Sequence, residues 1–182
     1  GVVMRVGVLA LQGGYAAHAE LLRALGHEVV LVRAADHADG LDGLVLPGGE
    51  SSAQLRLLDA ALEAALHAHV RAERPVLATC AGLVLAATRV APSQRAFGWL
   101  DVDVERNGWG RQLHSAEARA DDGTPLTLIR APRIRRVGSG VEVMRSLRGE
   151  PVLVRAGRVV GGTFHPELDG DPWLHIEAFT SR

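Results

Sequence analysis

Two rhythms of apolar and polar positions alternate along the first half of the chain. Short β-rich runs are followed by stretches with apolar residues three and four apart, the pattern of a parallel sheet with crossover helices. Met4 to Leu11 predicts a strand closed by Gly13 and Gly14. From Tyr15 to Leu25 the spacing of Ala17, Leu21, Leu22 and Leu25 predicts a helix that Gly26 ends. Strands are predicted over Glu28 to Val32 and Gly43 to Leu46, the latter stopped by Pro47, Gly48 and Gly49. Leu55, Leu58, Leu62, Leu66 and Val70 then define one long helix, capped by Ser51 or Ser52 and barred from continuing by Pro75. Val76 to Thr79 reads as a short buried strand and Ala81 to Thr88 as the helix after it.

Beyond Arg89 the helical rhythm gives way to short alternating segments between Gly, Pro and Asp turns. Strands are predicted at 100–104, 126–129, 141–147, 152–156 and 159–163, so the second half is strand-rich. Asp171 and Pro172 make a helix start for a final helix to about Thr180. A chain of 182 residues suits one domain spanning 1–182 better than two.

Charge narrows the picture by exclusion. Twenty basic residues face 21 acidic ones, which gives none of the cationic excess that nucleic-acid binding requires. Every one of the twenty is arginine, so a P-loop lysine, a lysine base and a Schiff-base lysine are all excluded. The one cysteine, Cys80, cannot form an internal disulfide, which points to the cytoplasm. The apolar run from Val6 to Leu11 is too short for a signal-peptide core or a membrane span. His67 and His69, two apart on a helix, diverge, and no Cys/His cluster exists, so no metal is expected.

Three stretches at predicted strand ends could carry chemistry. In V-L-A-T-C-A-G (76–82) a strand runs straight into a helix with a thiol at the junction. Ala78 and Gly82 supply the small neighbours that such an elbow needs, and the helix start favours thiolate over thiol. The competing reading is a buried cysteine packing as a small hydrophobe. His165, Pro166 and Glu167 offer a base and its carboxylate; two apart on extended chain they would share a face at roughly 6.6 Å. Pro47-Gly48-Gly49-Glu50-Ser51-Ser52 can turn backbone N–H groups toward an oxyanion. Gln12 and Gly13 end the first strand at the same sheet edge, where ligands of open parallel sheets bind.

Taken together, the G-G-E-S loop, the T-C-A-G elbow and the F-H-P-E-L segment (164–168) resemble a class I, triad-type glutamine amidotransferase. L-A-L-Q-G (9–13), E-R-N-G-W-G-R-Q (105–112) and I-R-A-P (129–132) narrow the resemblance to the glutaminase subunits of pyridoxal 5'-phosphate synthase, over nearly the whole chain. The resemblance implies a flavodoxin-like α/β fold with a mostly parallel central sheet flanked by helices. It implies hydrolysis of L-glutamine to glutamate and ammonia, with no cofactor. The ammonia would pass, in a hetero-oligomer, to a separate barrel-shaped synthase subunit that builds pyridoxal phosphate.

Carried over by residue, Cys80 would be the nucleophile, His165 the general acid and base, and Glu167 the group orienting it. Gly49, Glu50, Ser51, Arg106, Ile129 and Arg130 fall where the family binds glutamine. The N–H groups of Gly49 and Ala81 would face the oxyanion, with the Gln12–Gly13 peptide as a switch set by the partner. Ala78, Gly108, Trp109 and Ala116 depart from the family's usual residues. Three alternatives stand beside this reading: a glutaminase subunit serving another biosynthetic pathway, a non-catalytic regulatory module of the same fold, and a cysteine hydrolase or peptidase on a related fold.

Overall fold

A computed structural model describes residues 2–109 and 115–180, and of Ser115 and Ala116 the backbone only. Four strands of the first half are β1 (Arg5–Leu9), β2 (Glu28–Val32), β3 (Gly43–Leu46) and β4 (Val76–Thr79). With β10 (Glu142–Leu147), β11 (Glu150–Ala156) and β12 (Val159–Gly162) they make a seven-stranded sheet in the order β10-β11-β12-β4-β3-β1-β2. The strands from β12 to β2 are parallel, while β11 and β10 add an antiparallel edge. The sheet is thus mostly parallel, and its central strands are buried on both faces, which is why they read as unbroken apolar runs.

Alternation along these strands assigns the two faces. Leu44, Leu46, Val76 and Ala78 pack with Leu62 and Leu66 of α3 (Ala60–Arg71) and with α4 (Ala81–Ala86). Val45, Leu77, Val6 and Val8 point the other way, toward Leu22 of α1 (Tyr15–Ala24) and Leu174 of α5 (Trp173–Ala178). A three-stranded sheet of β5 (Arg89–Ala91), β6 (Val102–Glu105) and β9 (Arg133–Val137) covers the first face through Val90, Val102, Val104 and Ile134. The hairpin of β7 (Ser115–Arg119) and β8 (Pro125–Ile129) covers the second through Leu126 and Leu128.

Three local expectations are corrected. The long helix is two helices, α2 (Ser51–Leu57) and α3, because Asp59 caps the second by accepting from the Leu62 N–H at 2.7 Å. The cap of α2 is Glu50, whose carboxylate accepts from the Ser52 N–H, and neither Ser51 nor Ser52 fills that role. On α1 the inward positions are His18, Ala19 and Leu22; Ala17, Leu21 and Leu25 are half-buried. Strands β5, β7 and β9 have no predicted counterpart, since R-V-A, S-A-E-A-R and R-I-R-R-V carry too little apolar alternation to stand out.

Candidate functional site

Four strands deliver their carboxyl ends to one rim. β4 ends on Thr79, and Cys80 follows at φ 51° and ψ −109°, a conformation that costs a non-glycine residue on the order of 1–3 kcal/mol. Neighbouring backbone holds it there: the Cys80 N–H donates to the Gly162 carbonyl at 2.9 Å, and its own carbonyl accepts from Val84 at 3.2 Å. Gly82 is obligatory, because a Cβ there would overlap the Leu46 carbonyl of β3. The elbow expected from the sequence is therefore present, and it presents a sulfur only 6% exposed as a residue.

His165 leaves β12 just beyond its end. It meets Glu167 through a tight 3-10 turn over Pro166–Leu168, which replaces the extended pairing expected from the sequence. Its Nδ1 donates to Glu167 Oε2 at 2.9 Å. A Cβ on Gly48 would lie 2.5 Å from Cε1 of this ring and 3.5 Å from Cβ of Cys80, so glycine at 48 leaves the room in which imidazole and thiol meet. Nε2 of His165 is buried and makes no hydrogen bond of ordinary geometry among the described residues. Burial opposes a charged imidazole, but the Cys80 sulfur and then the Glu167 carboxylate more than offset it and raise its pKa to about 10. Burial likewise opposes an anionic Glu167, and the bond from His165 outweighs it, holding that carboxyl below the usual range.

In front of the sulfur lies a cavity of about 210 Å³ lined by Gly49, Glu50, Ser51, Cys80, Ala81, Val84, Arg106, Asn107, Arg130 and Pro132. It contains a carboxylate and guanidinium groups. The Ser52 hydroxyl, with help from Arg106, keeps Glu50 below the ordinary carboxylate range. The Cys80 S–H points at the carbonyl of Ile129, 3.7 Å away. Ala81 opens α4, so its N–H has no acceptor within the helix. A larger cavity of about 740 Å³ between Asp42, Arg74, Trp99 and Arg158 lies at the opposite, amino-terminal edge of the sheet and holds none of the expected residues.

Gln12 and Gly13 are packed against the same loop. The Gln12 side-chain oxygen accepts from the Glu50 N–H at 2.8 Å, and the Gly14 N–H donates to the Gly48 carbonyl at 3.0 Å. Gly13 sits at φ 102°, where a Cβ would overlap that carbonyl, so only glycine lets the segments after β1 and β3 touch. The Gln12 carbonyl accepts from Nε2 of Gln54 at 3.1 Å.

Several contributors lie outside every motif in the sequence. Gln54 is buried on α2, and Gln94 lies in an irregular segment, yet Gln94 accepts from Arg106 Nη1 at 2.8 Å and donates to the Ser51 hydroxyl at 3.0 Å. His18 and His175 are fully buried behind Glu167. Polar residues on otherwise apolar helical faces were the available hint. Gly110, Arg111 and Gln112 of the E-R-N-G-W-G-R-Q block lie outside the described residues, as does the side chain of Ala116. Gly108 and Trp109 form a fitted pair: a Cβ on Gly108 would stand 2.5 Å from Cβ of Arg133, whose guanidinium lies over the Trp109 ring at 4.9 Å. His67 and His69 are used separately, by Glu63 and by the Pro75 carbonyl.

A family described as the SNO glutamine amidotransferase family matches residues 8–180. This chain belongs to the SNO glutamine amidotransferase family. A relative named pyridoxal 5'-phosphate synthase subunit PdxT, from Koribacter versatilis, is 46% identical and aligns over 94% of this chain and 92% of its own length. A protein of the same name from Thermotoga neapolitana is 43% identical, over 94% and 96%. A crystal structure of a glutamine amidotransferase superposes with a TM-score of 0.90 at 41% identity, covering 96% of this chain and 97% of that one. A putative GMP synthase component from Thermoplasma acidophilum, 17% identical with a TM-score of 0.68 over 93% and 87%, shares the fold alone. The α/β architecture of this amidotransferase is that of class I glutamine amidotransferases, as its sequence motifs implied. Among the described residues no helix is long and apolar enough to cross a membrane.

Proposed function

We propose that this amidotransferase hydrolyses L-glutamine to glutamate and ammonia at Cys80, and that the ammonia feeds the synthesis of pyridoxal 5'-phosphate. The observation that carries the reading is the line from Glu167 through His165 to the elbow sulfur, at the mouth of a cavity bearing both Glu50 and Arg106. A free amino acid carries an ammonium and a carboxylate at one end, and Glu50 opposite Arg106 and Arg130 supplies the matching charges. Gly49, Ser51 and Ile129 complete the clamp through backbone and hydroxyl groups. Gln94, by bonding both Arg106 and Ser51, fixes the cationic side.

The Cys80 sulfur attacks the side-chain amide carbon, and negative charge passes to the amide oxygen. The N–H groups of Gly49 and Ala81 receive it. His165 gives a proton to the amide nitrogen, the C–N bond breaks and ammonia departs, leaving a glutamyl thioester. Water then gives a proton to His165 and attacks the thioester carbon; glutamate leaves and the sulfur is regenerated. Glu167 holds the imidazole with its Nε2 toward the sulfur. No lysine is needed, in keeping with a chain that makes ammonia and leaves any imine to its partner.

The ammonia is handed to a barrel-shaped synthase subunit bound to this chain in a hetero-oligomer, with residues 1–182 acting as one amidotransferase domain in the cytoplasm, where a lone thiol stays reduced. The Gln12–Gly13 peptide, tied to Gln54 and packed on Gly48, is the element that partner binding resets. Glutaminase turnover should therefore rise on mixing with the synthase subunit. Cys80→Ala should cost at least about a thousandfold in ammonia release while leaving the fold intact. Ammonia release from glutamine at the unaltered rate would overturn the assignment.

A further inference from the structure

Glu167 has two oxygens, and the triad accounts for one. Oε2 takes the bond from His165; Oε1 is buried and has no hydrogen-bond partner among the described residues. His18 Nε2 stands 3.5 Å from Oε1, and both side chains are almost wholly enclosed, at 0% and 3% exposure. The same nitrogen lies 3.4 Å from the Thr79 hydroxyl. Behind it, His18 Nδ1 meets His175 Nε2 at 2.8 Å, and His175 Nδ1 is buried without a partner among the described residues. The line therefore runs from α5 through α1 to the carboxylate and on to the imidazole beside Cys80.

Carboxylate chemistry fixes the direction of the hydrogen bonds. An anionic Glu167 accepts only, so His18 must turn an N–H toward Oε1; the opposite tautomer would set a lone pair against a negative oxygen. Nδ1 of His18 is then an acceptor, and the Nε2–H of His175 donates to it. The group left over at the far end is a bare acceptor nitrogen on His175, a smaller cost than an orphaned N–H. Burial, reinforced for each ring by a neighbouring imidazole and opposed by Glu167, lowers the pKa of His18 to about 4 and of His175 to about 3, so both rings are neutral. A charged pair would be as well buried but could not pass this polarity along.

We infer that His18 is a positioning residue for the glutaminase reaction, its Nε2–H closing on the free oxygen of Glu167, with His175 fixing its tautomer. At 3.5 Å the contact is longer than an ordinary hydrogen bond. The inference rests on the triad reading above. The charged and titratable groups facing the pair are Glu167 and His165 for His18, and His18 and Glu167 for His175; Glu167 itself faces His165, His18 and Asp169.

The test compares His18→Leu, His18→Gln and His175→Phe with the unaltered chain. Glutaminase kcat and KM are read across about pH 6 to 10 in complex with the synthase subunit. His18→Leu should lower kcat by about tenfold to a hundredfold with KM within about twofold, the scale of a misplaced catalytic group. Its alkaline limb should move to lower pH, since a loosened Glu167 supports the His165 proton less. His18→Gln, which can still offer an N–H to Oε1, should recover much of both, and His175→Phe should show a weaker form of the Leu effect. A folded His18→Leu chain with an unaltered limb and kcat, or equal losses in Leu and Gln, would overturn the inference. Should His18→Leu fail to fold, an unchanged profile in His175→Phe does the same. Activity persisting in Cys80→Ala would instead sink the triad reading.

Discussion

Two buried histidine environments meet on one carboxylate and end in opposite states. His165 is carried up to about 10, whereas His18, on the other side of Glu167, is pushed down to about 4. Burial disfavours the charge on both. The difference lies in the second neighbour: the Cys80 sulfur beside His165 raises its pKa, while for His18 the second influence is the His165 imidazole, which lowers it further. Burial that a carboxylate only partly offsets therefore leaves a neutral, direction-setting histidine, and a sulfur added beside that carboxylate makes a proton carrier. The molecule uses one of each, and Glu167 is the group that joins them.

Removing that joint is the strongest way to break the comparison. Glu167→Gln is close in shape and loses the charge, so His165 loses one of the influences that raise its pKa and His18 loses the neighbouring charge that raises its own. Glutaminase kcat should fall by about a thousandfold or more, as when an orienting carboxylate is neutralised in other triads. NMR titration of the ring protons should show the His165 value lowered and His18 still neutral. A kcat within tenfold of the unaltered chain would mean that Glu167 does not orient the base.

A second change perturbs one environment alone. Gly48→Ala would set a methyl 2.5 Å from Cε1 of His165 and leave α1 and α5 untouched. A displaced imidazole of this kind should cost about a hundredfold in kcat. The ring signals of His18 and His175 should stay where they are. If they shift with His165, the two environments are mechanically coupled through more than Glu167.

Much of the rim is legible in the sequence because its chemistry sits on strand ends, where glycines and a lone cysteine interrupt apolar runs. Cys80, Gly82, Gly49 and His165 stand out that way, and the structure brings them together at the edge expected of a parallel sheet. The route from His165 to Glu167 does not follow from spacing, since Pro166 begins a turn as readily as it stiffens an extended pair. The break between α2 and α3 is hidden because Leu55, Leu58 and Leu62 keep helical spacing across it, and only Asp59 marks the new start. His18 is invisible for a different reason. A face chosen from Ala17, Leu21 and Leu25 is rotated away from the true one, and a histidine inside a helix counts as polar until its partners, 149 and 157 residues on, are in place.

The smallest expected effect tests the neutral pair through stability, with the catalytic machinery left out. In the unfolded chain a histidine takes up its proton near 6.5, but the folded chain resists until about 4 at His18 and about 3 at His175. Protons therefore favour the unfolded state below 6.5, and stability falls as pH falls through that window. Each neutral ring should account for roughly 2 kcal/mol of loss between pH 7 and pH 5. His165, whose folded value is raised, contributes stability that is fully present below 6.5 and is lost only as pH rises toward about 10, so it adds nothing to an acid loss. Glu167, whose folded value is depressed, loses its contribution only at more acid pH. His27 and His69 are also lowered by burial and add to the slope with the same sign as the pair. The informative quantity is thus the difference between the unaltered chain and the double variant His18→Leu, His175→Phe in urea unfolding at the two pH values. The double variant should lose less stability on acidification. Equal losses would mean that the buried pair accepts a proton at ordinary pH, and the two histidine environments would then differ in place but not in chemistry.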